Sequence, residues 1–137
     1  MRLKTEIWAM AHVRRAFAEG AMAVIAQKGD RDAGAIFIHT VHGDGSAALY
    51  GPAPQPDGGE AGERYWRLLV QEAPAAVGWL RDDRGGGDGT EIEPGPGREI
   101  ETRLARETRF DPDIWVVEIE DREGRHFLGQ NLVPGDI

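Results

Sequence analysis

The spacing of apolar residues is helical at the start of the chain and strand-like after residue 20. Apolar side chains first recur at intervals of three and four, which predicts a helix over residues 5–19, capped by Thr5 and ended by Gly20. The predicted buried stripe consists of Ala9, Met10, Val13, Ala16 and Phe17. Over residues 2–8, uncharged residues alternate with charged ones, so a strand at the start of the chain is an open alternative.

Short β-rich runs separated by turn residues follow this helix. Residues 22–27 and 35–42 flank a polar, glycine-containing loop, and residues 47–51 follow a second turn. These three runs predict an antiparallel meander. A loop rich in proline and glycine covers residues 52–63, and residues 64–70 predict a further strand.

The last third of the chain contains a charged helix and the strongest predicted strand. The spacing predicts a helix over residues 98–109 with Ile100 and Leu104 as its buried edge. Residues 114–120 predict the strand, and residues 125–128 are expected to pair with it as a hairpin. The tail that begins at Gly129 is expected to be loose.

Residues 71–97 lack a regular hydrophobic pattern. Their glycine and proline content predicts a flexible linker or lid within a single domain of residues 1–137, with a short helix at 73–80 as an alternative. The elements together predict an α+β fold in which a mostly antiparallel sheet of five or six strands is packed by two helices.

Composition narrows the classes of partner and chemistry. The absence of cysteine excludes thiol nucleophiles, iron–sulfur ligation and cysteine zinc sites. A net charge of −8, from 24 acidic and 16 basic residues, disfavours nucleic acid and anionic membranes as partners. No apolar run is long enough to span a membrane, so the cytosol is the expected location. We expect no cofactor.

The stretch over residues 110–127, FDPDIWVVEIEDREGRHF, is the most distinctive motif of the chain. Further landmarks are residues 1–8, 14–15, 29–34, 51–54 and 63–64. With these landmarks the chain resembles a family of small bacterial proteins known as domain of unknown function 1491, or DUF1491, over nearly its full length. The resemblance implies a shared fold, and it carries no assigned reaction, cofactor or catalytic residue.

Four residues are candidates for acid/base chemistry. Glu118 and Glu120 lie two apart on a predicted strand and therefore share one face, where paired carboxylates can raise each other's affinity for a proton. Asp111 and His126 complete this candidate set. A solvated sheet face explains the two glutamates equally simply, and this is the interpretation that the alternating pattern favours.

A second set of residues is a candidate binding surface for an anion or an acidic partner. It consists of Arg14, Arg15, Arg109 and Asp113, for which a solvated helix surface and a structural corner are the alternatives. His39 and His42 lie three apart on a strand and point to opposite faces, so no metal site is predicted, although His39 could meet Glu118 or His126 across strands.

The function that these patterns favour is a non-catalytic domain that binds a protein or a small molecule. The alternative is a small cofactor-independent enzyme that uses the carboxylate and histidine candidates. Several predicted strands are apolar on both faces, and two helices are too few to cover both sides of the sheet. We therefore expect a homodimer.

Overall fold

Residues 3–74 and 98–134, which the computed structural model describes, form two α-helices and five strands, so the α+β class is confirmed. The elements are α1 (Thr5–Ala18), β1 (Met22–Gln27), β2 (Ile36–His42), β3 (Ala47–Ala53), β4 (Tyr65–Glu72), α2 (Glu99–Phe110), β5 (Trp115–Asp121) and a 3₁₀ turn (Gly129–Asn131). Neither described helix is long and apolar enough to cross a membrane.

The sheet is mixed, which corrects the expectation of a mostly antiparallel one. Its strand order is β1-β5-β2-β3-β4. The strand β5 runs antiparallel to β1 and parallel to β2, while β2, β3 and β4 follow one another in antiparallel order. The predicted meander is therefore wrong for β1 and β2, because β5 is inserted between them.

The loop between β1 and β2 explains why β5 fits there. The backbone N–H of Asp30 donates to the carbonyl oxygen of Asp113 at 2.9 Å, and the indole Nε1 of Trp115 donates to the carbonyl oxygen of Asp30 at 2.7 Å. Gly29 and Gly34 lie so close to this Asp113 carbonyl that a methyl group at either position would overlap it. The loop thus crosses the beginning of β5 instead of closing a hairpin.

Helix α1 buries only part of the predicted stripe, namely Ala9 and Ala16, with Val13 packed against the core. Its buried residues are Thr5, Ala9, His12 and Ala16, whereas Met10 and Phe17 are exposed. The small side chains of Ala9 and Ala16 let the helix backbone approach the sheet closely, and this turns the larger apolar side chains outward. The alternative of a strand over residues 2–8 is also wrong, because α1 begins at Thr5.

Thr5 has a structural role other than the predicted helix cap. The residue before the helix is Lys4, which makes no side-chain cap bond, and the Thr5 side chain is fully buried. Its hydroxyl Oγ1 donates to the carbonyl oxygen of Gly34 at 3.1 Å. The first turn of α1 is therefore tied to the loop that crosses β5.

Two hydrophobic clusters lie on opposite faces of the sheet. The larger one joins Trp115, Val117 and Ile119 of β5 to the alanines of α1, as the alternation along this strand predicted. The smaller one contains Val116 of β5 with four other buried residues, namely Phe37, Leu49, Ile100 and Ile114. Leu104 packs against the smaller cluster, so the predicted buried edge of α2 is confirmed.

Three predictions for the connecting segments need correction. Residues 125–128 are not a strand, since Phe127 has a φ of 60° and the chain turns away from β5 there. The tail is held at Val133, whose N–H donates to the carbonyl oxygen of Trp66 at 2.8 Å. Gln71 and Glu72 belong to β4, and the rest of the proposed linker from residue 75 to 97 lies outside the described residues.

Candidate functional site

A cavity of about 510 Å³ opens at the end of the sheet where β2, β4 and β5 begin and β3 ends. We call it the loop-end cavity. Its lining comes from four separate parts of the chain, namely residues 33–36, 52–55, 62–66 and Asp111. The strand order brings them together, because the insertion of β5 places the end of α2 beside the loop that follows β1.

The apolar part of this cavity is rigidly held. Trp66 is almost completely buried, and its indole Nε1 donates to the carbonyl oxygen of Ile36 at 2.9 Å. Pro52 and Pro54 line the neighbouring wall, where their rings fix the backbone. A ligand group that packs here meets a surface formed before binding.

Polar side chains at the cavity are held by hydrogen bonds from the surrounding loops. The guanidinium of Arg64 donates to the Thr5 hydroxyl at 3.0 Å. The Glu63 carboxylate accepts from the Asn131 amide at 3.0 Å, and the Tyr65 hydroxyl accepts from the Glu60 N–H at 2.9 Å. One oxygen of Asp111 accepts from the Asp113 N–H at 3.0 Å. The cavity therefore combines an apolar wall with fixed charges of both signs.

The acid/base candidates do not meet in one cleft. Glu118 and Glu120 share a face of β5 as predicted, with Glu118 beside His39 of β2 and Glu120 exposed to solvent. Asp111 precedes the opposite end of β5, a strand that spans about 17 Å between Trp115 and Glu120 at about 3.3 Å per residue.

His126 lies on the other face of the sheet from the two glutamates. Its ring makes an edge contact with Tyr50, with 5.1 Å between the ring centroids, and its Nδ1 accepts from the Leu128 N–H at 2.9 Å. Burial lowers the pKa of the His126 ring. The carbonyl oxygen of His126 lies 2.9 Å from Nε2 of His12, which is buried and stacked on Trp8.

His12 is a buried histidine that the sequence did not single out. Burial lowers its pKa to about 4, so the ring is neutral at pH 7 and Nε2 donates to the His126 carbonyl. The position of His12 three residues after Ala9 and four before Ala16 was the available signal. It was obscured because Met10 and Phe17 suggested a different buried face.

The candidate binding residues are spread over the surface. Arg14 and Arg15 are exposed on α1, Arg109 is exposed near the end of α2, and the Asp113 side chain is exposed beside the loop of β1. Arg15 borders a smaller cavity of about 330 Å³ that includes Trp8 and His12. None of these four side chains lines the loop-end cavity.

A charged contact between Asp121 and Arg125 was not predicted. The buried Asp121 carboxylate accepts hydrogen bonds from the side chain of Arg125, at 2.9 and 3.0 Å, and from the backbone N–H groups of Glu123 and Arg125. The hydrogen bonds from the Arg125 guanidinium hold the pKa of Asp121 far below its usual range. The i, i+4 spacing of an acid and an arginine around Gly124 was its only signal.

Ser46 and His42 form a turn and not a nucleophilic site. The Ser46 hydroxyl donates to the Asp44 carboxylate at 2.7 Å and lies 3.2 Å from His42 Nδ1. The same carboxylate accepts from the Ser46 N–H at 2.8 Å, so it closes the turn between β2 and β3. Across residues 3–74 and 98–134, no three His, Asp or Glu side chains converge to hold a metal ion.

Comparison with known proteins links this chain to one family. The family model described as "Protein of unknown function (DUF1491)" matches residues 3–129. No protein with a curated description matches the chain.

Two solved structures are similar over almost the whole length of the chain. The solution structure of protein Atu0922 from A. tumefaciens is 37% identical, covers 99% of this chain and 98% of its own, and has a TM-score of 0.68. The crystal structure of a DUF1491 family protein from Caulobacter crescentus CB15 is 36% identical, covers 97% of this chain and 99% of its own, and has a TM-score of 0.67.

Proposed function

From the premise that the chain belongs to the DUF1491 family, we propose that it is a binding domain whose ligand occupies the loop-end cavity. One observation carries this proposal. Four stretches that carry the family resemblance in the sequence, residues 29–34, 51–54, 63–64 and the start of 110–127, each contribute to the lining of this one cavity. We interpret the meeting of these stretches at one space as a binding site, beside the structural role that Gly29 and Gly34 have where the loop crosses β5.

The chemistry of the lining indicates the class of ligand. The volume of about 510 Å³ lies within the usual range of about 300 to 1,000 Å³ for small-molecule sites. Trp66, Pro52 and Pro54 offer an apolar wall, while Arg64 and Asp111 offer a cation and an anion. A small zwitterion with an apolar group, such as an amino acid or a short peptide, matches these three features.

The enzymatic alternative gains no support from the positions of its candidate residues. It requires Glu118, Glu120, Asp111 and His126 to act on one substrate, yet they lie at different ends and on different faces of the sheet. Asp111 alone borders the loop-end cavity. A binding role needs only this one carboxylate.

Self-association is the second part of the proposed function, as the apolar pattern of the strands predicted. Met22 and Val24 of β1 are 58% and 51% exposed, on the face of the sheet away from α1. Soluble proteins usually cover such apolar positions, and a homodimer with two-fold symmetry is the commonest way to do so. We keep the cytosol as the proposed location of this dimer.

The binding proposal is tested by titration with small ligands and by a substitution that blocks the cavity with a larger side chain. Amino acids and dipeptides with apolar side chains are added to the ¹⁵N-labelled protein, and amide chemical shifts are followed by NMR. We expect shifts at residues 33–36, 52–55 and 62–66 for at least one compound. Ala53→Trp should abolish them, whereas Ala105→Trp, at an exposed position of α2, should not. Compounds that shift only other residues, or that bind Ala53→Trp equally well, would contradict the proposal.

A further inference from the structure

The outer edge of the sheet at β1 carries one irregularity, between Ile25 and Gln27, and is otherwise unprotected against pairing. The strand is the first in the strand order, so one of its sides faces no other strand among the described residues. Natural edge strands usually carry charges, prolines or bulges that prevent another chain from pairing with them. From Ala21 to Ala26 the sequence contains neither a charge nor a proline. Over Met22–Ile25, before the irregularity, this edge is therefore open to a further strand of compatible sequence.

Helix α1 carries a second apolar stripe on its solvent side. Ile7, Met10 and Phe17 are 52%, 44% and 50% exposed. With Arg14 between the last two, their spacing is three, four and three, which places all four on one side of the helix. Solvent-facing positions of a surface helix are normally polar. Helix α1 packs on β1 and β5, and its Trp8 contacts Trp66 of β4, the opposite edge strand, so Met10 and Phe17 lie on the side of the helix toward the outer edge of β1.

We propose that a second copy of this chain docks on the surface formed by β1 and the stripe of α1. The proposal rests on the self-association proposed above and assigns a surface to it. A two-fold axis perpendicular to the sheet would pair β1 with the partner's β1 in antiparallel order and would bring the two α1 helices together, also antiparallel. The two five-stranded sheets then continue into one another.

The charges on α1 favour this antiparallel arrangement over a parallel one. Glu6 and Arg14 lie four residues before and four residues after Met10. Antiparallel pairing centred on Met10 places Glu6 opposite the partner's Arg14, and the symmetry makes this contact twice. Parallel pairing would place like charges opposite each other. Glu6 already attracts one cation in the monomer, since Arg31 lies 3.4 Å from it at the surface.

The sequence of β1 is compatible with pairing to itself. When two copies pair in antiparallel order around Val24, Val24 faces the partner's Val24, in the part of the strand that precedes the irregularity. Val24 and Met22, its neighbour on the same face, are exposed in the single chain. Pairing brings these apolar side chains of the two copies side by side and places no charge between the two β1 strands, which favours a second copy over a charged partner.

The surface is tested by sedimentation velocity of the full chain at several micromolar concentrations. We expect a dimer, and Val24→Lys should raise its dissociation constant roughly tenfold or more, because two ammonium groups would meet at the axis. Leu68→Lys is the matched control, since Leu68 is an exposed apolar residue on β4, the opposite edge strand. This control should leave the dimer intact. Circular dichroism establishes that each variant is folded.

A charge exchange tests the contact between the two helices independently of β1. Glu6→Arg and Arg14→Glu should each weaken the dimer, and the double variant should restore it, because the two positions face each other only across the two-fold axis. A wild-type chain that is monomeric throughout would overturn the self-association itself. A dimer that neither Val24→Lys nor the charge exchange affects would leave self-association in place and overturn this surface.

Discussion

At the scale of single residues, Trp115 joins three parts of the chain. Its ring is 1% exposed and packs in the larger hydrophobic cluster. Its indole Nε1 donates to Asp30, and its backbone N–H donates to the carbonyl oxygen of Ala35 at 2.8 Å. The same residue therefore fills the core and fixes the loop that allows β5 to lie between β1 and β2.

Replacing Trp115 separates these two roles. Trp115→Ala should lower the free energy of unfolding by about 3 to 5 kcal/mol, the usual cost of removing a large buried ring. Trp115→Phe keeps most of the packing and should cost less, with about 1 to 3 kcal/mol coming from the unpaired Asp30 carbonyl. Urea denaturation followed by circular dichroism measures both values. Phe110→Ala is the control, because Phe110 is 85% exposed; an equal effect of Phe110→Ala and Trp115→Ala would contradict the assignment.

The residue scale also shows where sequence patterns are reliable. The alternation along β5 placed Trp115 and Val117 on the buried face and Glu118 on the other, because a strand side chain alternates with a fixed period of two. Which residues form a site is a different question. Glu118, Asp111 and His126 share suitable chemistry, but chemistry alone contains no information about the distance between them.

At the scale of elements, local patterns predicted the segments and missed their partners. The strands β1, β2 and β5 begin within about one residue of the predicted positions, since hydrophobic periodicity is a local property. The insertion of β5 between β1 and β2 depends on contacts between residues far apart in the sequence. The polar loop that follows Gln27 has the same turn chemistry whether it closes a hairpin or crosses a third strand.

The N-terminus of α2 provides a prediction at this scale. Arg98, the residue before the helix, makes no side-chain cap bond, and the carboxylate of Glu72 on β4 accepts instead from the Ile100 N–H at 2.6 Å. A carboxylate at a helix N-terminus also interacts favourably with the helix dipole. Glu72→Ala should therefore cost about 0.5 to 2 kcal/mol, the range for loss of a helix cap.

Amide hydrogen exchange distinguishes a local effect on α2 from a general loss of stability. Glu72→Ala should accelerate exchange in the first turns of α2 more than in β5. Gln71→Ala, at the exposed neighbouring position, is the control and should leave both unchanged. Uniform acceleration across the sheet would show that Glu72 acts on β4 and not on the helix.

At the scale of the whole molecule, the candidate site is a product of the topology. The loop-end cavity exists because the mixed strand order gathers the loop of residues 28–35, the end of β3 and the end of α2 at one end of the sheet. Each contributing stretch could be identified in the sequence. Their meeting point could not be predicted, because a loop that crosses an inserted strand has the same local sequence pattern as a loop that closes a hairpin.

Two titrating groups, His12 and Asp121, make the stability of this fold depend on pH in the acidic range. Burial keeps His12 neutral in the folded state and lowers its pKa from 6.5 to about 4, so between these values the unfolded chain binds a proton that the folded chain does not. Stability should therefore fall as the pH decreases from about 6.5 to about 4. The hydrogen bonds from Arg125 lower the pKa of Asp121, so its contribution to stability is present above about pH 3.9 and is lost at lower pH.

Substitutions at His12 and Asp121 should alter these two pH ranges separately. His12→Phe keeps an aromatic ring against Trp8 and removes the titrating nitrogen, so the variant should be less stable at pH 7 but lose less stability between pH 6.5 and 4. Asp121→Asn should also be less stable at pH 7, with a deficit that shrinks only below about pH 4. Urea denaturation at a series of pH values measures both profiles. If His12→Phe lost stability between pH 6.5 and 4 as steeply as the wild type, the acid response in that range would have to come from other groups, of which the partly buried His126 is the first to test.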